Sequence, residues 1–175
     1  MSLQRVSVSV PLEAPSIEAA VVITLFHDWI RRGAVEGLLI DVTSYSHVHH
    51  GPGVMLIGHE GDYSVDLAGG RPSLRYTLKR TDTDTPQGAV ALAARRLAGA
   101  AEAAASAGIR VIDGDVTVQV FDRLRAPNTD ETAQVLTPQI AAGVRDVTGW
   151  SSQRAERLSD DPRSPFGLRL VAPKG

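Results

Sequence analysis

Four of the chain's five histidines, His47, His49, His50 and His59, fall within 13 residues. Asp41 precedes them, and Glu60, Asp62 and Asp66 follow closely. His47 and His49 are two apart, so on an extended backbone they project to the same side. Neutral imidazole nitrogen suits zinc, iron, copper or nickel, and such a pair can grip a divalent metal such as zinc. His59 or Glu60 would complete a facial set if the chain folds back across the turn Gly51-Pro52-Gly53. A metal-dependent hydrolase or lyase would then use His47, His49, His59 and Glu60. Without metal, Asp41, His47, His49 and Glu60 form a polar cluster suited to acid–base work with a tuned histidine.

The plain reading of the same residues is structural. His-Gly-Pro-Gly is what a tight reversal looks like, and a histidine-rich turn is often only solvated. His59 beside Glu60 is then a buried, hydrogen-bonded pair or a surface pair. The helical His-Glu-x-x-His zinc motif is absent. Ser44 and Ser46 stand nearby, but no Gly-x-Ser-x-Gly elbow strains either of them. Gly51 and Gly53 would offer backbone amides to an anion, yet neither a Walker A sequence nor Gly-x-Gly-x-x-Gly opens a helix.

A second segment is Asp122-Arg123-Leu124-Arg125, followed by Ala126-Pro127-Asn128-Thr129. It lies where a strand ends and a helix begins. That place receives a ligand carboxylate or phosphate, with Arg123 or Arg125 as its partner. The structural alternative is an Asp122–arginine salt bridge that fixes the turn, with Asn128 as a helix cap. The leading functional expectation is a small-ligand or protein-binding domain, with Asp41, His47, His49, Glu60, Arg123 and Asn128 around its ligand. The metal-dependent enzyme is one alternative, and a structural or assembly subunit is another.

These residues need a scaffold, and the hydropathy pattern supplies one. Val6, Val8 and Val10 alternate with Ser7 and Ser9 as a strand. Ser16 caps a helix to about Arg32, with Ala19, Val22, Ile23, Phe26, Trp29 and Ile30 as its apolar stripe. Gly33 ends it, and two arginines suit its negative end. Trp29 and Phe26 read as core, and His27-Asp28 as a surface pair.

Leu38 to Val42 reads as a buried strand, Ser46 to Gly53 as the histidine turn, and Val54 to Glu60 as the returning strand. Asp62 to Leu67 and Leu74 to Lys79 alternate, with Gly69-Gly70 as the turn between them. Together they predict an antiparallel meander. Thr85 caps, and Pro86 begins, an Ala-rich helix over 87–107 that Gly108 terminates. Val116 to Phe121 is the clearest later strand. A third helix runs from Asp130 to Val147, capped by Thr129 or Asn128 and kinked or split at Pro138. Residues 149–165 read as a loop or irregular helix, with Trp150 suited to an interface. Leu168 to Ala172 reads as a short last strand. The order favours an α+β fold, a mostly antiparallel sheet with about three helices on one face.

Composition narrows the classes. The 175 residues carry 43% hydrophobic and 22% charged side chains, the balance of one globular domain rather than a disordered chain. No composition break divides residues 1–175. Zero cysteine excludes disulfides, thiolate metal sites and a cysteine nucleophile. A net charge of −2 argues against broad nucleic-acid binding. The N-terminal alternation is too short and polar for a secretory signal, and no apolar run spans a membrane. The default location is the cytoplasm. The Ala-rich helix offers a stripe for a symmetry mate, so a homodimer is expected.

The strings Asp41-Val42-Thr43-Ser44-Tyr45-Ser46-His47-Val48, Gly51 to Glu60, and Asp122-Arg123-Leu124 with Ala126-Pro127-Asn128-Thr129 resemble segments of an uncharacterised bacterial protein family. The likeness covers most of residues 26 to 135. It implies a bacterial, cytoplasmic protein and carries no activity, cofactor or binding residue.

Overall fold

A computed structural model describes residues 2–69 and 71–174. The chain runs β1 (Val6–Pro11), α1 (Ala19–Arg32), β2 (Leu39–Ser44), β3 (Val54–Gly58), β4 (Gly61–Asp66), β5 (Ser73–Leu78), α2 (Pro86–Ser106), β6 (Val116–Val120), α3 (Asp130–Thr148), β7 (Arg154–Arg157) and β8 (Phe166–Val171). The strands form one sheet in the order β2-β3-β4-β5-β1-β6-β8-β7. Each of the pairs β2/β3, β3/β4, β6/β8 and β7/β8 is antiparallel. An antiparallel sheet with separate helices is an α+β fold, as the residue pattern predicts. Among the described residues no helix is long and apolar enough to cross a membrane.

Two compact units divide the chain. One comprises Met1–Val8, Thr77–Arg95 and Gly114–Gly175; the other comprises Ser9–Tyr76 and Arg96–Asp113.

The second unit holds β2–β4 and β5 as far as Tyr76. Alternation decides their faces: Val54 and Leu56 of β3 are buried, while Met55 and Ile57 between them are half-buried. The buried face lies under α1. Phe26, Trp29, Tyr63 and Tyr76 form a chain of ring contacts, with centroids 5.1, 6.1 and 4.8 Å apart. Offset aromatic packing of this kind adds to simple area burial. Phe26 and Trp29 are fully buried, as expected of core residues. The Tyr63 hydroxyl donates to the Glu36 carbonyl at 2.7 Å, so a buried polar atom finds its partner.

In the first unit β8 lies between β6 and β7, pairing Val118 with Leu168 and Ala155 with Leu170. The first turns of α2 meet α3 at Gly143, where an added Cβ would stand 2.6 Å from the Gln87 carbonyl. Short side chains permit that approach. Ala89, Val90, Ala93 and Leu97 are all buried within the chain itself. Leu92, the remaining member of the apolar stripe, is half-buried.

Several local expectations change. Helix α1 starts at Ala19 with Glu18 as its cap residue and no side-chain cap bond, so Ser16 lies outside it. Helix α3 stays one helix through Pro138. Pro138 is exposed, so the carbonyl it leaves unbonded is on the side open to water. Part of 149–165 is a strand, β7, rather than a loop. Thr85 does cap α2, its hydroxyl accepting from the Gly88 amide at 3.1 Å. Thr129, not Asn128, caps α3, accepting from the Thr132 amide. The Gly69-Gly70 turn falls partly outside the described residues.

Candidate functional site

The histidine segment closes the β2–β3 hairpin. Ser44 pairs with Val54, and the Tyr45 amide donates to the Gly53 carbonyl at 2.6 Å. Two further turns follow, with Val48 N–H donating to the Tyr45 carbonyl and Gly51 N–H to the Val48 carbonyl. Gly53 sits at φ +74°, and a Cβ there would collide with the Val65 carbonyl. Glycine is the residue that permits this closure. His50 adopts φ +60°, a left-handed conformation uncommon for a residue with a side chain. His47, His49 and His50 are all exposed. The rings of His49 and His50 lie with centroids 4.0 Å apart, tilted by 58°. Around them is a shallow hollow of about 310 Å³ that also involves Tyr45, Ser46 and Leu67.

His59 and Glu60 lie at the other end of β3. The His59 amide donates to the Leu38 carbonyl, opposite the start of β2. Five residues of β3 separate this turn from the histidine loop, about 16 Å at 3.3 Å per residue. Antiparallel pairing across Gly51-Pro52-Gly53 thus sends the two arms' far ends away from the loop. The metal set His47, His49, His59 and Glu60 is not brought together. Among the described residues no group of three or more His, Cys, Asp or Glu side chains is placed to hold a metal ion.

Glu60 instead braces the β3–β4 turn. Its carboxylate accepts from the Leu38 amide at 3.2 Å. Backbone amides, its own first and then that of Leu38, hold its pKa below the ordinary carboxylate value, with His59 and Arg96 adding to the effect. Asp41 is exposed, and its carboxylate accepts from the adjacent Val42 amide at 2.8 Å.

The strand-end segment divides in the same way. Arg125 meets Asp122 at 3.4 Å, the turn-fixing bridge that sequence reasoning weighed against a ligand. Asn128 is buried, and Nδ2 donates to the carbonyls of Ser159 and Asp161, both at 2.9 Å. Arg123, Leu124 and Arg125 project outward, with Leu124 98% exposed.

A groove that the sequence did not announce lies beside α1. It measures about 560 Å³ and is floored by Val21, Thr24, Leu25, Ala107 and Ile109, with His27, Asp28 and Arg31 at its rim. The stripe Val22-Phe26-Trp29 faces the core, and Val21 and Thr24 lie outside that buried set. The available signal was Val21, an apolar residue off the core stripe and 48% exposed. His27 and Asp28 do not act as a closed pair. Asp28 faces both Arg31 and Arg32, the latter at 2.9 Å. Arg31 lines the groove, while Arg32 lies outside its lining.

The fold is α+β, with a mainly apolar groove beside α1 that His27, Asp28 and Arg31 border. Comparison with protein-family models, curated proteins and solved structures returned no match.

Proposed function

We propose that the chain is a small-ligand-binding domain whose α1 groove takes an apolar molecule with one acidic group. The observation that carries this reading is the groove itself. Its volume of about 560 Å³ falls in the range of small-molecule sites. Its floor is apolar, and its few polar groups gather at one rim. There Arg31 meets Asp28, whose single carboxylate is shared with Arg32 just outside the groove. A ligand carboxylate at this rim would complete the charge balance, and its hydrocarbon part would cover Val21 and Ile109. The histidine loop supports a weaker reading, because its hollow is smaller and more polar.

A matched series of octanoate, octanol and octylamine tests the proposal by thermal shift and NMR titration. Octanoate should raise the melting temperature and move the amides of residues 21–31 and 107–109. Octanol should bind more weakly, and octylamine not at all. Thr24→Trp should fill the groove and abolish the effect, while Arg31→Gln should erase the preference for the acid. Equal responses to all three compounds, or an effect unchanged in Thr24→Trp, would sink the reading.

A further inference from the structure

The two ends of the sheet are protected differently. Edge strand β7 reads Arg-Ala-Glu-Arg, and its charges cover it: Arg154 meets Glu156 at 2.6 Å and Arg169 meets Glu156 at 3.8 Å. Charged edges of this kind repel strand addition. Edge strand β2 is blunted by other means. Its register slips at Ile40 between Leu39 and Asp41, and the Asp41 carboxylate occupies the Val42 amide. A bulge and a capped donor both prevent a further strand from pairing. Beside this blunted backbone stand two large apolar side chains, Leu38 at 65% and Ile40 at 61% exposure. Their surroundings are acidic. Glu60 binds the Leu38 amide, Asp41 follows Ile40, and Glu36 is 77% exposed where it meets Arg96.

The opposite pattern occurs on the turn after β6. Leu124 is 98% exposed, the most exposed of the large apolar side chains. Exposed arginines flank it on both sides, and Arg5 lines the same hollow at its base. Asp122 is engaged by Arg125, so the turn remains basic around its apolar tip. One surface is thus an apolar pair within carboxylates, and the other is an apolar tip within guanidiniums. Each lacks a covering element in its own compact unit.

We propose that these surfaces bind each other between two copies of the chain, with the Arg123-Leu124-Arg125 tip of one seated on Leu38 and Ile40 of the next. Complementary charge names a second copy as the occupant: the arginines meet Glu36, Asp41 and Glu60 as Leu124 is covered. The contact is made by side chains, because the β2 backbone is closed to pairing. It joins two different patches, and every copy carries both. Each added copy leaves one tip and one patch free, and growth continues until a ring closes.

Sedimentation velocity on the full chain, over a range of protein and salt concentrations, tests this with three proteins. The wild type should gain mass with protein concentration and lose it in high salt, where exposed charges are screened. Leu124→Asp and Ile40→Arg should each stay monomeric, with unchanged circular dichroism and melting. An equimolar mixture should form a dimer that grows no further, because it holds one intact tip and one intact patch. Arg123→Glu with Arg125→Glu, and Leu38→Arg, serve as second variants if either first substitution disturbs folding. A wild type that remains monomeric throughout overturns the proposal. So does a single variant that still assembles, or a mixture that fails to form the dimer.

Discussion

Arg157 donates through Nη2 to the side-chain oxygen of Asn128 at 2.9 Å, and this pair fastens the start of α3 to the β7–β8 connection. Asn128 uses its two donors on the carbonyls of Ser159 and Asp161, while Arg157 also reaches Asp130 at 2.6 Å. Every hydrogen-bonding group of the amide is thereby engaged. Asn128→Ala would strand two carbonyls and one face of a largely buried guanidinium, at a cost of about 2–4 kcal/mol. Urea denaturation should show the loss. Trypsin should then cut faster at Arg163, which lies in the released connection. Asn128→Asp keeps the acceptor and loses both donors, so it should fall between wild type and Asn128→Ala. Wild-type stability in Asn128→Ala would show that this network holds nothing in place.

Gly143 and Gly99 separate propensity from packing. Both are helical glycines, and alanine in an exposed helix interior gains about 1 kcal/mol over glycine. At Gly99 nothing lies within 4 Å of an added Cβ, so Gly99→Ala should stabilise by about that amount. At Gly143 the new methyl would meet the Gln87 carbonyl at 2.6 Å and the Val90 Cβ at 2.9 Å. Two helix backbones would have to part, and overpacking of this kind costs about 1–3 kcal/mol. Gly143→Ala should therefore destabilise on balance. The two melting temperatures should move in opposite directions, and movement in the same direction would refute the packing argument.

The helices and strands β3–β5 were legible because their apolar periods are strong, whereas β2, expected to be buried, is an edge strand with Leu38 and Ile40 exposed. Thr85-Pro86, Thr129 and Gly33 each do at the helix ends what their chemistry predicts. Strand β7 was not legible, because Arg-Ala-Glu-Arg carries no apolar alternation and owes its shape to pairing with β8. The division into two units was hidden for a related reason. Three of its four boundaries, at Val8/Ser9, Tyr76/Thr77 and Arg95/Arg96, fall inside β1, β5 and α2, so no linker composition marks them. At the candidate sites, residue type was readable and convergence was not. His47 and His59 look adjacent in a string, but hairpin register sets them at opposite ends of β3. The α1 groove depends on Ile109 meeting Val21, a juxtaposition that no local pattern encodes.

The histidine loop gives a prediction about stability and metal together. His47 and His49 are exposed, and β3 separates them from His59 and Glu60. Exposed substitutions away from special contacts fall within about 0.5 kcal/mol. His47→Ala and His49→Ala should therefore melt as the wild type does. Elemental analysis of untagged protein should find no stoichiometric divalent ion that either variant loses. About one ion per chain, absent from both variants, would show that the loop rearranges around a metal and would revive the hydrolase or lyase reading.

The buried tyrosines set the alkaline limit of the fold. Burial pushes the Tyr63 hydroxyl far above its ordinary value, and neighbouring Tyr76 pushes it further. Burial likewise raises Tyr76, to about 12, against the pull of Arg96. The unfolded chain releases these protons near pH 10, while the folded chain retains them. Between pH 10 and the folded values the unfolded state therefore binds fewer protons, and stability falls as pH rises. It is fully present below about pH 10 and declines by about 1.4 kcal/mol per pH unit for each tyrosine above it. Urea midpoints from pH 8 to pH 11.5 should be level and then drop. Tyr63→Phe should lose about 1 kcal/mol at neutral pH, because the Glu36 carbonyl loses its donor. It should also flatten the alkaline decline, and adding Tyr76→Phe should flatten it further. A decline equally steep in the double variant would place its origin in other groups.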